Sequence, residues 1–363
     1  MNTLPSPRLP RRRRSGEWRR SICPYCGTGC GVLIRSRDGV VRDVRGDPDH
    51  PVNRGALCAK GALLAPVLQT DDRLLSPIAR DRRDEEFRPL TWDDATDRLA
   101  AAIRRTQERH GPHSVMLYGS GQLLTEDYYL FGKLAKGYLR TNNQDTNSRL
   151  CMASAVTAYT LALGRDAPPC SYADIELART FLIVGANIEA CHPILFNRIK
   201  ARRKADPDVR VIVIDPRRTR TAEIADLHLA PRPGTDVALL NSLLYEALLA
   251  GGVDHEFLAQ HTTGWDDLAR GLSEYQAERA HESTGVPAQD IVDAARIYTR
   301  NSPSLSLWSM GVNQSSHGVD KNLALINLAL ATGNIGRPGA GPFSLTGQPN
   351  AMGGREAGGL ATA

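Results

Sequence analysis

Four of the seven cysteines stand at a spacing that suits a metal centre. Cys23, Cys26 and Cys30 fall within eight residues, and Cys58 follows after 27 intervening residues. Gly27 and Gly29 lie between Cys26 and Cys30, and glycine lets a backbone fold closely around a compact anionic group because it accepts positive φ angles. Four thiolates are the ligand set of an iron–sulfur cube. The pattern therefore predicts a [4Fe–4S] cluster.

A structural zinc site is the alternative for these four residues, since zinc also takes four thiolates. Zinc ribbons usually pair their ligands in two separated Cys-x2-Cys units, whereas here three ligands cluster and the fourth is remote, which favours iron–sulfur. Lys60, two residues after Cys58, is either a surface cation or a residue that relays electrons or pairs with an anion. Cys170 and Cys191 have no partner pattern and are interpreted as structural thiols.

Charge and composition exclude several classes of protein. The formal net charge is +5, but residues 1–20 hold seven arginines against one glutamate, or +6, so the remainder is near −1. The excess therefore belongs to a Pro/Arg-rich arm and does not indicate a nucleic-acid groove. A twin-arginine export signal needs an apolar segment behind its arginines, and Arg19-Arg20 lacks one, so we expect a cytoplasmic protein. An odd number of cysteines argues against a disulfide scaffold.

The remaining composition indicates a soluble globular protein of two or three domains. Hydrophobic residues make up 41% of the 363 residues and charged residues 23%. The longest apolar runs, such as 181-FLIVGANI and 211-VIVI, have the length of strands, so we expect no membrane-spanning helix.

Helices and strands are predicted to alternate along the chain. The segment 91-TWDDATDRLAAAIRRTQERHG has helical periodicity, with Thr91 as N-cap and Gly111 as terminator. A strand is predicted in 114-SVMLYGSGQ and a helix from about residue 125. The later predicted elements are strands in 180-TFLIVGANI, 210-RVIVIDPRRT and 304-SLSLWSMG, and helices in 192-HPILFNRIKARRKAD, from Val237 to Leu249, up to about Arg300 and in 320-DKNLALINLALATG. This alternation predicts a doubly wound parallel sheet.

The final stretch, from Gly333 onward, is glycine-rich and lacks helical periodicity. It is interpreted either as a flexible tail or as a segment whose backbone approaches a bulky ligand.

Four motifs together resemble the bacterial assimilatory and periplasmic nitrate reductases, which belong to the wider family of enzymes that hold molybdenum between two molybdopterin guanine dinucleotides. The motifs are the cysteine pattern ending in Cys58-Ala59-Lys60-Gly61, 147-NSRLCMASAV, 308-WSMGVNQSSHG and 343-FSLTGQPNAMGGREAGG. Their order along one chain carries the resemblance, which spans about residue 20 to the end. Members of the family continue into a further C-terminal domain that shares the cofactor, and we expect this domain to be missing here.

The resemblance implies an α/β fold that begins with a small [4Fe–4S] domain and continues into Rossmann-like parallel-sheet domains. The predicted divisions are a disordered basic tail at 1–18, the cluster domain at 19–73, an α/β domain around the molybdenum at 74–170 plus 331–363, and a dinucleotide-binding domain at 171–330.

By position, the resemblance implies that Cys151 ligates molybdenum and that Met152 and Arg355 lie near the substrate anion. The residues that it places at the pterin nearest the cluster are Lys60, Gln122 and Asn147, and those at the molybdenum pocket are Met310 and Gln314.

The turn 184-VGANIEAC follows a strand as in dinucleotide folds, so the backbone at Gly185 and Asn187 is expected to receive a pyrophosphate or a pterin edge. Asp215 ends the next strand, where an acid meets ribose hydroxyls in such folds, and Thr219 follows it. The resemblance further implies that Asp236 recognises guanine.

The implied cofactors are a [4Fe–4S] cluster and Mo-bis(molybdopterin guanine dinucleotide), and the implied reaction is reduction of nitrate to nitrite. Formate dehydrogenases of the same family typically carry histidine after the metal ligand, and Met152 therefore favours nitrate. An electron-transfer subunit without molybdenum is a further alternative. The expected electron donor is ferredoxin, flavodoxin or an NAD(P)H-linked reductase subunit, and neither nucleic acid nor a membrane is an expected partner.

Overall fold

The computed structural model describes residues 16–359, which divide into two compact units. The first unit takes 16–23 and 29–76, and the second takes 24–28 and 77–359. Most of the predicted basic tail lies outside the described residues. The predicted borders at residues 170 and 330 fall within the second unit and stay predictions.

The first unit is built on a three-stranded antiparallel sheet. Its strands, in the order β1–β2–β3, are β1 (Trp18–Ile22), β2 (Gly31–Arg37) and β3 (Val40–Gly46). Two short helices, α1 (Ala59–Ala62) and α2 (Leu64–Val67), pack against β3. The sequence patterns did not predict this sheet, because charged residues interrupt the apolar ones in each of its strands.

The second unit contains three sheets. A two-stranded antiparallel sheet joins β4 (Ile78–Ala79) to β5 (Arg88–Pro89), and a parallel pair joins β6 (Leu117–Gly119) to β7 (Gln144–Thr146). The third sheet has five strands: β8 (Thr180–Val184), β9 (Arg210–Ile214), β10 (Leu227–Leu229), β11 (Ser304–Trp308) and β12 (Gly341–Ser344).

Fourteen α-helices lie in the described part of the second unit: α3 (Trp92–His110), α4 (Thr125–Gly132), α5 (Ser148–Cys151), α6 (Ala153–Leu163), α7 (Ile188–Cys191), α8 (Pro193–Ala205), α9 (Asp236–Leu249), α10 (His255–His261), α11 (Trp265–Leu272), α12 (Ala277–Thr284), α13 (Ala288–Arg300), α14 (Met310–Asn313), α15 (Gly318–Ala331) and α16 (Ala351–Glu356). Short 3-10 turns cover Pro112–Ser114, Tyr172–Glu176, Arg220–Ile224 and Ser273–Tyr275, and a π-helical turn covers Lys133–Tyr138. Among residues 16–359, no helix is long and apolar enough to span a membrane.

The five-stranded sheet is parallel throughout and has the order β10–β9–β8–β11–β12. From β8 the chain builds outward to β9 and β10 on one side, and then returns to add β11 and β12 on the other. The reversal puts a crevice between the carboxyl ends of β8 and β11, which is where ligands bind in open α/β sheets. The predicted doubly wound sheet is confirmed.

Alternate side chains of this sheet pack into two separate hydrophobic cores, one on each face. Leu182, Ile212 and Trp308 face a core shared with α6, α9, α13 and α15. Phe181 and Val211 face a second core with α7 and α8. Because successive side chains in a strand point to opposite faces, a strand buried on both sides is apolar at every position. That pattern made β8 and β9 visible in the sequence.

The helix predicted after Thr91 is confirmed: the side chain of Thr91 accepts a hydrogen bond from the Asp94 backbone N–H, and the helix ends at His110 before Gly111. The strand predicted from Ser114 is shorter than expected, covering only Leu117–Gly119. The glycine-rich end, which was interpreted as a flexible tail or as a segment that approaches a ligand, contributes β12 to the sheet and forms the short helix α16.

Candidate functional site

Three of the four cluster cysteines lie in the first unit. Cys23 and Cys30 are buried and close a loop in which the backbone N–H of Cys23 donates to the carbonyl of Cys30 at 2.8 Å. The side chain of Asn53 binds both the N–H and the carbonyl of Gly31, at 2.8 and 3.0 Å. This pair of bonds ties the segment that leads to Cys58 to the strand that starts after Cys30.

Two other residues predicted for this region, Cys26 and Lys60, are more exposed than Cys23 and Cys30. Cys26 is half-buried and belongs to the second unit, and Lys60 is an exposed residue of α1. Within residues 16–359, no three His, Cys, Asp or Glu side chains are placed to hold a single metal ion. An iron–sulfur cube carries one thiolate on each of four irons and does not require its ligands to meet at one point.

In the second unit, loops after three strands meet at Gly121. Its N–H donates to Oδ1 of Asn147 at 2.6 Å, and its carbonyl accepts from the N–H of Asn350 at 2.8 Å. A Cβ at Gly121 would lie 2.7 Å from Cβ of Gln348, so only glycine fits. The loops after β6, β7 and β12 are therefore held together. The predicted pterin ligand Gln122 is exposed beside this junction.

Cys151 ends the short helix α5 beside this junction. Met152, with φ −129° and ψ 0°, breaks the helix before α6, and both side chains are buried. Sγ of Cys151, 3% exposed, donates a hydrogen bond to Oε1 of Gln348 at 2.9 Å. Burial raises the pKa of the Cys151 thiol, and a hydrogen bond from the Gly347 backbone and the charge of Arg355 partly offset this effect.

Arg355 is a buried cation with unused donors. Its side chain is 9% exposed, and Nη2 pairs with Oδ2 of Asp166 at 2.7 Å. Nε and Nη1 are buried and have no hydrogen-bond partner among the described residues. Since an unpaired buried donor costs about 1–3 kcal/mol, such groups call for a ligand.

The turns after β8 and β11 touch at the crevice. Gly185, with φ +54°, accepts a hydrogen bond from the Gly311 N–H at 3.0 Å, and a Cβ on either glycine would lie within 2.9 Å of the other's backbone. Met310 is half-buried at the start of α14, and Gln314 is exposed at its end. Oδ1 of Asn187 accepts from the Thr221 hydroxyl. The close approach of Gly185 and Gly311 thus joins the turns after β8 and β11, while the roles predicted for Asn187, Met310 and Gln314 stay predictions.

Asp215 and Thr219 follow β9 along the same edge of the sheet. Oδ1 of Asp215 accepts from the backbone N–H of Arg217 at 2.9 Å, and the side chain is buried. The hydroxyl of Thr219 is buried without a partner among the described residues. Asp236 begins α9, where its carboxylate pairs with the buried ammonium of Lys321 at 2.7 Å.

The sequence profile of the molybdopterin oxidoreductase family matches residues 73–362, and that of the molybdopterin oxidoreductase Fe4S4 domain matches residues 17–68. The chain belongs to the molybdopterin oxidoreductases.

Two relatives of this molybdopterin oxidoreductase chain are named nitrate reductase and periplasmic nitrate reductase. It is 45% identical to a nitrate reductase from Synechocystis sp. over 94% of this chain and 49% of that protein. It is 44% identical to a periplasmic nitrate reductase from Desulfovibrio desulfuricans over 95% of this chain and 47% of that protein. The chain spans about half the length of these relatives.

Acetylene hydratase from Pelobacter acetylenicus has a similar structure, with a TM-score of 0.76 and 23% identity over 89% of this chain and 44% of that one. This likeness shows a shared fold.

The residues of this molybdopterin oxidoreductase fit the group that the family binds. A thiol, two unused N–H groups of Arg355 and the hydroxyl of Thr219 are buried at the carboxyl ends of the strands, and the hydroxyl of Thr346 is buried there without a partner among residues 16–359. Thiolate suits molybdenum, and N–H and hydroxyl donors suit pterin and phosphate oxygens. The site therefore offers groups that suit a molybdopterin.

Three residues of the site were not predicted from the sequence: Gln348, Asp166 and Lys321. Gln348 lies in the glycine-rich motif 343-FSLTGQPNAMGGREAGG, so its place in a recognised segment was the available signal. Asp166 and Lys321 act through side-chain pairs with residues far along the chain, and local spacing does not reveal such pairs.

Proposed function

We propose that the protein is a molybdenum-dependent nitrate reductase in which this chain carries the cluster ligands and Cys151. The observation that carries the proposal is Arg355, a buried guanidinium with two unused donors close enough to Cys151 to lower its pKa. Nitrate is an anion with three oxygen acceptors, and a guanidinium donates charge-assisted hydrogen bonds to such oxygens. Relatives named nitrate reductase, at 44–45% identity over most of this chain, support the same substrate.

The reaction consumes one nitrate, two electrons and two protons and yields nitrite and water. Molybdenum supplies the two-electron redox chemistry, which side chains lack. Arg355 would donate to the anion through Nε or Nη1, which lie on different edges of the guanidinium, while Asp166 holds Nη2 and so fixes the plane of the guanidinium. Met152 contributes an apolar thioether next to the metal ligand, and the burial of both residues excludes water.

The four cysteines are proposed to carry a [4Fe–4S] cluster that receives single electrons from the donor. The Fe4S4 domain match at residues 17–68 supports this role. Lys60, Gln122 and Asn147 are proposed to contact the pterin nearest the cluster.

The dinucleotides are proposed to carry guanine, with the ribose on Asp215 and Thr219 and the base on Asp236. Met310 and Gln314 are proposed to line the metal pocket. The strand order of the sheet reverses between β8 and β11, and ligands bind at such a reversal in open α/β sheets, which supports this binding mode.

The electron donor, the assimilatory role and the cytoplasmic location remain proposals from the sequence. Ferredoxin, flavodoxin and an NAD(P)H-linked subunit are the candidate donors. Adding each purified donor, in reduced form, to the full-length gene product would identify the one that supports turnover. Cell fractionation would decide the location, since one relative is named periplasmic.

The function is tested by expressing the full-length gene product anaerobically and measuring dye-linked turnover of nitrate and of formate. We expect nitrate turnover, and we expect Cys151→Ala to abolish it while iron content stays unchanged. Turnover of formate alone would refute the substrate assignment, and enzyme without molybdenum would point to an electron-transfer subunit.

A further inference from the structure

The sulfur of Cys151 is enclosed by one short loop. Residues 346–348 follow β12, and two of them contact the sulfur: Gln348 through its side-chain amide and Gly347 through its backbone. The cysteine and Gln348 stand 197 residues apart in the sequence, so the contact exists only because the fold closes here. Thiols are weak hydrogen-bond donors, and a buried one does not need an amide partner for stability. The amide therefore calls for another explanation.

Gln348 cannot easily move away from the sulfur. Its Cβ packs against Gly121, where no second Cβ fits, and the next turn is fixed by the bond from Asn350 to the same glycine. On its other side, the carbonyl of Gly347 accepts from the N–H of Gly27 at 3.0 Å. The ring of His192 contacts the carbonyl of Thr346 at 2.7 Å. The loop is thus fixed at three points, and the amide is held at hydrogen-bonding distance from Sγ.

A primary amide can serve both protonation states of a cysteine. Its oxygen accepts a bond from the neutral thiol, and after a rotation of about 180° its NH₂ group donates to a thiolate. Cysteine must lose its proton to solvent when it binds a metal, so a partner that could only accept would then repel the sulfur. Glutamine satisfies both states without moving its backbone.

We propose that Gln348 is a positioning residue for Cys151 that donates an amide N–H to the thiolate when the metal is bound. The inference rests on the proposed role of Cys151 as the metal ligand. A hydrogen bond to a ligating sulfur withdraws electron density from it, which stabilises the reduced metal and makes its reduction potential more positive. Gln348 therefore sets part of the driving force for the reaction, in addition to aiming the sulfur.

The test compares Gln348→Leu and Gln348→Glu with wild type in the full-length holoenzyme. Both variants keep the approximate size of the side chain and remove the N–H donor, and glutamate adds a negative charge. We expect the midpoint potential of molybdenum to become more negative, more so for glutamate, with altered g-values in the Mo(V) EPR spectrum. Molybdenum and iron contents are measured first. Gln289→Leu, an exposed substitution on α13, is the matched control. It should change neither the midpoint potential of molybdenum nor the Mo(V) EPR spectrum.

A second pair of variants moves Gln348 without removing its amide. Gly121→Ala forces the Gln348 side chain away, whereas Gly137→Ala adds a methyl group where nothing lies within 4 Å. We expect the midpoint potential of molybdenum to become more negative in Gly121→Ala and to stay unchanged in Gly137→Ala. Wild-type potential and spectrum in the Gln348 variants, or equal behaviour of the two alanine variants, would overturn the proposal. These readouts need no substrate, so they can fail while nitrate turnover stands, and they can succeed if nitrate turnover fails.

Discussion

Arg355 provides the sharpest test of the site. Two of its donors, Nε and Nη1, are buried and unused, and each charge-assisted bond to an anion is worth about 1.5–3 kcal/mol. Lysine keeps the positive charge but places it on a single nitrogen and cannot donate from two separate positions, so Arg355→Lys should lose about one such bond. At 1.36 kcal/mol for each factor of ten, kcat/KM for nitrate should fall about 10- to 150-fold. Arg355→Met should lose both bonds, which lowers kcat/KM about 100-fold or more.

The assay is steady-state nitrate reduction by the full-length enzyme with a reduced dye as donor, normalised to molybdenum content. Arg270→Lys is the control, because that arginine forms only an exposed pair with Asp267. We expect its kinetics to match wild type. If fully metallated Arg355→Lys retained kcat/KM within twofold of wild type, the unused donors would not be the anion site and the reasoning would fail.

Three further predictions concern stability. Asp236→Asn leaves the ammonium of Lys321, which is only 6% exposed, without a negative charge beside it. Thermal unfolding should show a loss of about 3–5 kcal/mol, more than for Lys321→Met, because Asp236 is more exposed than Lys321. Gly311→Ala collides with backbone and should lower Tm by several degrees, while Gly271→Ala, in open space on α11, should be neutral or stabilising; equal effects would contradict the crowding at the crevice. Burial raises the pKa of half-buried Glu246, so the folded state holds its proton more tightly and stability is lost as pH rises through the raised value; Glu246→Gln should remove that loss in unfolding free energies measured across this range.

The sheet could be predicted from the sequence wherever burial on both faces made a strand apolar throughout. Phe181 to Val184 and Val211 to Ile214 are apolar without a break, and the helix α8 lies between the two strands along the chain. Parallel pairing follows from that alternation. What the periodicity did not supply was the order of the strands, which depends on where β11 returns to the sheet.

The strand β12 could not be predicted, because its residues argue against a strand. Pro342 cannot donate to a ladder, and Gly341 adopts φ +149°, an angle at which other side chains are strained. The strand lies at the edge of the sheet, where an absent N–H costs little, and its carbonyl at Pro342 accepts from the Tyr159 hydroxyl at 3.0 Å. Tertiary contacts thus stabilise a strand that local propensity opposes.

In the candidate site, too, some residues could be predicted from the sequence and others could not. Spacing and motif order placed Cys151 and Arg355, because those residues stand in recognisable segments. Their partners Gln348 and Asp166 were not predicted, because a hydrogen bond between loops from different strands leaves no periodic trace in the sequence.

Because β11 pairs with β8 although β9 and β10 lie between them in the sequence, the crevice is completed late in synthesis. Strands β8, β9 and β10 leave the ribosome consecutively, but the neighbour that completes the crevice, β11, follows only after five intervening helices, and the loop that encloses the Cys151 sulfur comes later still. A nascent chain that ends before Gln348 possesses the thiol without the enclosure. The site that we propose for the metal therefore becomes complete only when the segment after β12 has been made and has folded onto the rest of the second unit.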